Sequence, residues 1–279
     1  MNGSERAFAL PGFAGRLYGG HSKGIRGHSR GEPKRPRVLL LHGFTGDAGD
    51  WALWPDGAPT ALAIDLPGHG ASPDPTGVFG DEIQRLLAVL PPSIDHVLGY
   101  SLGGRIALSL LAAAPGRFHD ATILSAHPGL IEASQREARR VADQRWIALL
   151  RNQGIGRFVD AWQGQPLFAT QIGLPTAVLE RQRQRRLAQR AEGLAQNLTC
   201  FGLAEMPETT TALRSWPGRL RWLVGALDLR FLAIAGQIVE MRAGTELCQI
   251  PNAGHNLLLE APTAVQRRCL PRFMQSGLS

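Results

Sequence analysis

The 279 residues are 44% hydrophobic, enough to bury one large α/β core with a small insertion, and no run of about 18 apolar residues offers a membrane span. The net charge is +7, yet no helix-turn-helix, RNA-binding or zinc signature accompanies it and aromatics are not interleaved with the basic residues, which argues against nucleic acid and leaves small anions as partners. The three cysteines, Cys200, Cys248 and Cys269, are scattered and odd in number, and the N-terminus lacks a secretory pattern, so a reduced cytoplasmic protein is expected rather than a disulfide or zinc framework.

Residues 1–36 are rich in Gly, Arg, Lys and Ser ("GGHSKGIRGHSRGEPKRPR") and read as a basic, partly flexible lead-in. One early strand is expected there, near 8–10 or 16–18. "RVLLL" (37–41) is a short apolar run that ends at "HGFTG", the pattern of a fully buried parallel strand. "ALAIDLPGHG" repeats the plan of strand followed by a Pro/Gly turn. "DEIQRLLAVL" (81–90) has helical spacing and stops at Pro91 and Pro92. "IDHVLGY" predicts a strand, "LGGRIALSLLAAA" a helix ended by Pro115 and Gly116, and "ATILSA" (121–126) a strand.

The alternation then breaks. From about 128 to 211 no strand is predicted, only helical blocks crowded with Arg and Gln: "ASQREARRVADQRWIALLR", "IGRFVDAWQ", "AVLERQRQRRLAQR" and "EGLAQNLTCFG". Alternation resumes with "RLRWLVG", "FLAIAGQIVEMR", "TELCQI" and "AVQRRCLPRFM". Strands alternating with helices imply a mostly parallel central sheet with helices on both faces. The expected organisation is therefore an α/β core from 37–127 and 212–279, interrupted by a helical lid at 128–211.

Ser101 sits in "GYSLGG", a G-x-S-x-G sequence between a strand and a helix. That context marks a nucleophile elbow. Glycines flank the serine because strand and helix must approach closely there, and the helix N-terminus favours developing negative charge. A serine hydroxyl needs a base, and the base needs an orienting carboxylate. In this order of elements the acid and then the histidine follow the serine. Asp228 lies just past one late strand in "LVGALDLRF", and His255 just past the last one in "QIPNAGHNLLLEAP". Both reach the C-terminal sheet edge, where ligands bind α/β sheets. Asp228 can also cap the helix that follows it. The turn in "LHGFTG" presents backbone N–H groups, and those of Phe44 and Leu102 would form an oxyanion hole. His42 and His69 lie inside turns and read as structural, and His96 and His119 as surface or structural residues. No histidine cluster has metal-ligand spacing, so neither a metal nor a cofactor is expected.

The motifs "HGFTG", "DLPGHG", "GYSLGG", "GALD" and "AGHN", in that order across 37–275, resemble the α/β-hydrolase superfamily. A narrower resemblance runs through "GYSLGGRIAL", "HPGL", "SQREARRVADQRW", "FVDAWQGQPLFA", "LAQNL" and "GALDLRFLAIA". It is to the 2-succinyl-6-hydroxy-2,4-cyclohexadiene-1-carboxylate synthases of menaquinone biosynthesis. The resemblance implies a carbon–oxygen lyase that eliminates pyruvate from a polycarboxylate, with the serine abstracting a proton rather than attacking a carbonyl. It implies substrate contacts from Tyr100, Arg105, Arg139, Trp162 and Arg186. Extra residues around "TQIGLPTAVLE" leave Arg183, Arg185 and Arg190 as rivals of Arg186 for the lid position. Guanidinium groups bind carboxylates in bidentate fashion, which gives an arginine-rich lid a purpose.

Two alternatives use the same residues. One is a serine hydrolase of esters or vinylogous C–C bonds, whose pocket would be mostly apolar. The other is a non-catalytic ligand-binding protein on this fold. A monomer or small homo-oligomer is expected in each case.

Overall fold

The structure, a computed structural model, describes residues 5–19, 35–55 and 57–275. Two strands, β1 (Arg6–Leu10) and β2 (Phe13–Tyr18), form a hairpin. They are followed by β3 (Val38–Leu41), β4 (Ala61–Ile64), α1 (Phe79–Val89), β5 (His96–Tyr100), α2 (Leu102–Ala113) and β6 (Asp120–Leu124). Three long helices come next, α3 (Ala133–Gln163), α4 (Thr176–Leu187) and α5 (Ala191–Phe201), with the short α6 (Thr210–Ser215) after them. The chain ends in β7 (Arg219–Gly225), α7 (Leu229–Met241), β8 (Glu246–Ile250), α8 (Leu257–Glu260) and α9 (Pro262–Gln275).

The strands make one 8-stranded sheet in the order β1-β2-β4-β3-β5-β6-β7-β8. β1 and β2 pair antiparallel with their neighbours, and every pairing from β4 through β8 is parallel. The lead-in expectation therefore needs correcting. Residues 6–18 hold two strands rather than one, and they extend the central sheet through β2 and β4. Gly12, at φ 77°, supplies the left-handed turn that closes this hairpin. Most of the basic stretch that follows lies outside the described residues.

Alternation along the strands builds two cores. Leu39, Leu41, Leu62 and Ile64 face one apolar cluster with α1, α2 and α7, while Val38, Leu40, Ala61 and Ala63 face the other with α9. All four residues of β3 are fully buried, which explains its unbroken apolar run. Burying each such leucine contributes about 2 kcal/mol.

The lid has its own small core of Ile147, Leu150, Phe158, Val159, Leu194, Ala195 and Leu198. The two helical blocks expected as separate are two helices, labelled together as α3, that meet at a kink at Gly154, whose φ of 76° and ψ of 180° are not helical. Polar clasps fix the lid on the core. Gln189 accepts from Gly70 N–H at 2.9 Å and donates to the Gly46 carbonyl at 3.0 Å, and Asn197 donates to the Pro67 carbonyl at 2.8 Å. Gln189, in the turn between α4 and α5, ties both glycine-bounded turns after β3 and β4, and Asn197 of α5 ties the second of them.

A tight backbone crossing lies behind Ser101. A Cβ on Gly103 would come within 2.2 Å of the Leu41 carbonyl oxygen, and one on Gly99 within 2.3 Å of the Gly103 carbonyl oxygen. Backbone cannot yield as a flexible side chain can. Gly103→Ala is expected to lower unfolding free energy by about 3 kcal/mol or to abolish soluble expression. Gly116→Ala, with no atom within 4 Å of its added Cβ, should change stability by under about 0.5 kcal/mol. Urea unfolding of the two variants checks this, and equal stabilities would contradict it.

Candidate active site

Ser101 lies between β5 and α2 with φ 51° and ψ −107°, a left-handed conformation unfavourable for a residue with a Cβ. Neighbouring backbone bonds hold it there. Its N–H donates to the Leu124 carbonyl at 2.9 Å, and Gly103 N–H donates to the His42 carbonyl at 3.0 Å. The result lifts Oγ away from the strand and sets it at the start of α2.

His255 follows β8 and is buried. Its Nε2 lies 3.0 Å from Ser101 Oγ, and its Nδ1 lies 2.8 Å from Asp228 Oδ2. With the carboxylate accepting from Nδ1–H, Nε2 is the unprotonated atom and receives the serine hydroxyl hydrogen. Asp228 uses its other oxygen as an N-cap, accepting from Phe231 N–H at 3.4 Å. One carboxylate thus anchors both a helix and the imidazole. Glu260, which the motif reading passed over, braces the loop on either side of His255. It accepts from Gly254 N–H at 2.7 Å and Asn256 N–H at 3.0 Å. Its position four residues after the N-cap Asn256 is close to a capping-box pattern, the signal that could have revealed it.

Two cavities meet at this relay. The smaller, of about 240 Å³, is lined by Tyr100, Phe168, Arg181 and Arg186 among others. The larger, of about 680 Å³, is lined by Leu102, Arg105, His127, Arg139 and Arg230 among others. Phe44, Ser101, Trp162, Leu167 and His255 border both. All ten residues expected at the site therefore fall in or beside one divided space, Asp228 included.

Trp162 closes the space from the lid. Its ring stacks on Phe158 at 5.4 Å and meets Phe44 at 5.1 Å, so the turn carrying Phe44 is packed into the lid's aromatic cluster. Its indole N–H is buried without a hydrogen-bond partner. Tyr100 packs its ring 5.6 Å from that of His255 and lies against Gly43. Burial pushes its hydroxyl well above the usual tyrosine range, so it remains protonated.

The arginines differ in what they already hold. Arg183 pairs with Asp160, Arg185 with Asp47 and Asp50, and Arg190 with Asp74. Arg186 has no such carboxylate among the described residues. It is 4% exposed, lies over the Phe168 ring at 5.1 Å and leaves Nη1 buried without a partner. Burial pushes its guanidinium below the usual range. Of the four rivals, Arg186 is thus the buried cation still open to an anion. Arg105 donates to the Phe201 carbonyl at 2.6 Å, and burial, with Arg139 nearby, pushes it down to about 9. Arg139 gives its Nε to both oxygens of Asp143 at 2.9 Å. Desolvated guanidiniums of this kind gain most when a carboxylate arrives.

The other histidines have settled roles. His42 accepts from Leu66 N–H at 2.9 Å and bonds the Gly43 carbonyl, and His69 accepts from Thr45 N–H at 3.2 Å. They hold the two glycine turns. His96 is buried between Asp95 and Asp120 at the opposite sheet edge, far from a surface role. The three cysteines are free and buried. Among the described residues no group of three His, Cys, Asp or Glu is arranged to hold a metal ion, and no helix is long and apolar enough to cross a membrane.

Burial, then Arg230, Arg105 and Arg139, push His127 down to about 4, and burial with His42 nearby holds His69 well below its usual range. In the unfolded chain both rings take up protons near pH 6.5. The folded state does so only at lower pH, so it loses stability as pH falls from about 6.5 toward 4. The melting temperature should drop between pH 7 and pH 5, and His127→Gln should reduce that drop. An unchanged pH dependence in the variant would contradict the assignment.

Comparison with known proteins agrees with this geometry. Residues 38–268 match the alpha/beta hydrolase family. The chain is 33% identical over 264 residues to the 2-succinyl-6-hydroxy-2,4-cyclohexadiene-1-carboxylate synthase of Enterobacter sp. (strain 638), covering 90% of this chain and 96% of that one. The synthase of the same name from Salmonella newport (strain SL254) is 34% identical over 254 residues, covering 85% of this chain and 94% of its own. Among solved structures, MenH from S. aureus superposes with a TM-score of 0.82 at 25% identity, covering 94% of this chain and 98% of that one. The chain belongs to the α/β-hydrolase superfamily and, within it, to the 2-succinyl-6-hydroxy-2,4-cyclohexadiene-1-carboxylate synthase family.

Proposed function

We propose that this chain eliminates pyruvate from 2-succinyl-5-enolpyruvyl-6-hydroxy-3-cyclohexene-1-carboxylate to give 2-succinyl-6-hydroxy-2,4-cyclohexadiene-1-carboxylate. The observation that carries the reading is a Ser–His–Asp relay opening on cavity walls whose Arg105 and Arg186 lack carboxylate partners among the described residues. An ester hydrolase would present mostly apolar walls there. We take the cytoplasm as its compartment, since the substrate is a water-soluble polyacid, and a monomer or small homo-oligomer as its state.

The chemistry follows from the substrate's own bonds. The hydrogen on C2 is acidic because it lies beside the succinyl ketone. Ser101 removes it as its own proton passes to His255 Nε2, and Asp228 stabilises the imidazolium that forms. The electron pair left on C2 closes a C2–C3 double bond. The former C3–C4 double bond moves to C4–C5, and the C5–O bond breaks. Pyruvate leaves as its enolate and takes up a proton at carbon. No acyl-enzyme is formed. Charge that builds on the ketone oxygen is held by the N–H groups of Phe44 and Leu102 and by the N-terminus of α2. Arg105, Arg139 and Arg186 bind carboxylates, Trp162 donates its indole N–H, and Tyr100 shapes the floor beside His255.

Purified protein should release pyruvate from this substrate, read by lactate dehydrogenase and NADH. Ser101→Ala should lower kcat by about 10²–10⁴-fold. Arg186→Gln should raise KM by about tenfold or more, the loss of a charge-assisted hydrogen bond. No pyruvate, together with an acyl-enzyme burst on a nitrophenyl ester, would overturn the lyase reading in favour of a hydrolase.

A further inference from the structure

The larger lobe holds more cationic and hydrogen-bonding capacity than Arg105 and Arg139 supply. His127 follows β6 and Arg230 lies on the first turn of α7, just after β7. β6 and β7 are adjacent, with Leu124 paired to Leu223, so the two side chains arrive at the same sheet edge from neighbouring strands. Both line the larger lobe. We infer that His127 and Arg230 form a carboxylate subsite at the mouth of this lobe, which takes the terminal carboxylate of the substrate's succinyl arm.

Three observations carry this. The lobe's carboxylates are committed elsewhere, Asp143 to Arg139 and Asp228 to His255. Among the described residues no carboxylate pairs with Arg230, whose guanidinium reaches only the neighbouring Phe231 ring, at 5.9 Å. Next, His127 Nδ1 accepts from Gly129 N–H at 3.1 Å, so the neutral ring carries its proton on Nε2, the atom left to donate. Burial, and then Arg230, keep that ring neutral. It therefore offers a hydrogen bond without adding to the crowd of positive charge. Last, Leu227 and Leu229 flank the site, line the lobe and stay 53% and 74% exposed. Exposed leucines at a cavity mouth suit the two methylenes that separate the succinyl ketone from its carboxylate.

The choice of carboxylate follows from the reaction. The ketone oxygen must lie at the Phe44 and Leu102 N–H groups, so its arm extends from there toward the rim. The inference rests on the pyruvate-eliminating reading, and the experiment separates the two. Steady-state pyruvate release is measured for the full chain and for Arg230→Gln, Arg230→Lys and His127→Gln, with melting temperatures to verify folding. Arg230→Gln and His127→Gln should raise KM by about tenfold or more with kcat within about threefold, and Arg230→Lys should recover most of the loss. Succinate and pyruvate then serve as inhibitors. Arg230→Gln should weaken inhibition by succinate at least about tenfold and leave that by pyruvate unchanged. A wild-type enzyme that releases pyruvate, with KM within twofold in Arg230→Gln and in His127→Gln, overturns the subsite alone. Loss of sensitivity to pyruvate instead of succinate overturns the succinyl assignment. No pyruvate from the wild type overturns the reaction reading and the succinyl assignment with it.

Discussion

The crossing of β3, β5 and α2 at Ser101 sets the terms for the rest of the molecule. Two glycines let backbone touch backbone there, and the serine accepts a left-handed conformation as a result. Such geometry costs about 1–3 kcal/mol and persists only where the surroundings over-determine it. Here the surroundings are the parallel sheet itself. The serine N–H is bound by β6, and the Gly103 N–H by the turn that follows β3. The same turn carries Phe44, so the distance between nucleophile and candidate anion donors is set by strand spacing rather than by loop conformation. His42 and His69 continue this logic as rivets for the glycine turns, spending imidazoles on hydrogen bonding rather than on proton transfer.

Charge is organised differently on the two sides of the lid. Arginines on its outer side are matched to acids and contribute little each, as exposed pairs do. Arg105 and Arg186, which face the cavity, are desolvated and have no carboxylate partner among the described residues. Desolvating an unmatched guanidinium costs several kcal/mol, which the fold must offset elsewhere. The sheet and the two apolar clusters supply that stabilisation. A site kept in this state is complementary to a bound polyanion and not to water.

Much of this was legible because the relevant signals are local. Buried strands produce apolar runs, and the elbow and the acid sit beside the buried β5 and β7, whereas the histidine follows the partly buried β8. The N-terminal hairpin was half hidden because "RAFAL" and "FAGRLY" are short, partly exposed and followed by a long basic stretch. The break inside "RNQGIG" was legible as the end of one helix and the start of the next, because Gly154 can take the non-helical φ of 76° that separates them. Arg185 and Arg186 could not be separated in sequence. Successive helical residues differ by about 100° in direction, and packing alone decides which one is buried. His127 and Arg230 were invisible as a pair because sheet order, not chain order, makes them neighbours. Glu260 had a local signal, its spacing from Asn256, which the stronger histidine motif overshadowed.

The divided cavity has a consequence for turnover. The proposed substrate carries three carboxylates on one covalent frame, so each arginine contact raises the effective concentration of the others. Breaking the C5–O bond splits that frame. The ring product keeps two carboxylates and pyruvate departs with one, so neither fragment retains the avidity of the parent. Cations on both sides of the cavity hold the intact polyanion tightly enough to slow turnover if it stayed whole. The bond the site breaks is the one that made the ligand multivalent, and cleavage itself loosens the grip.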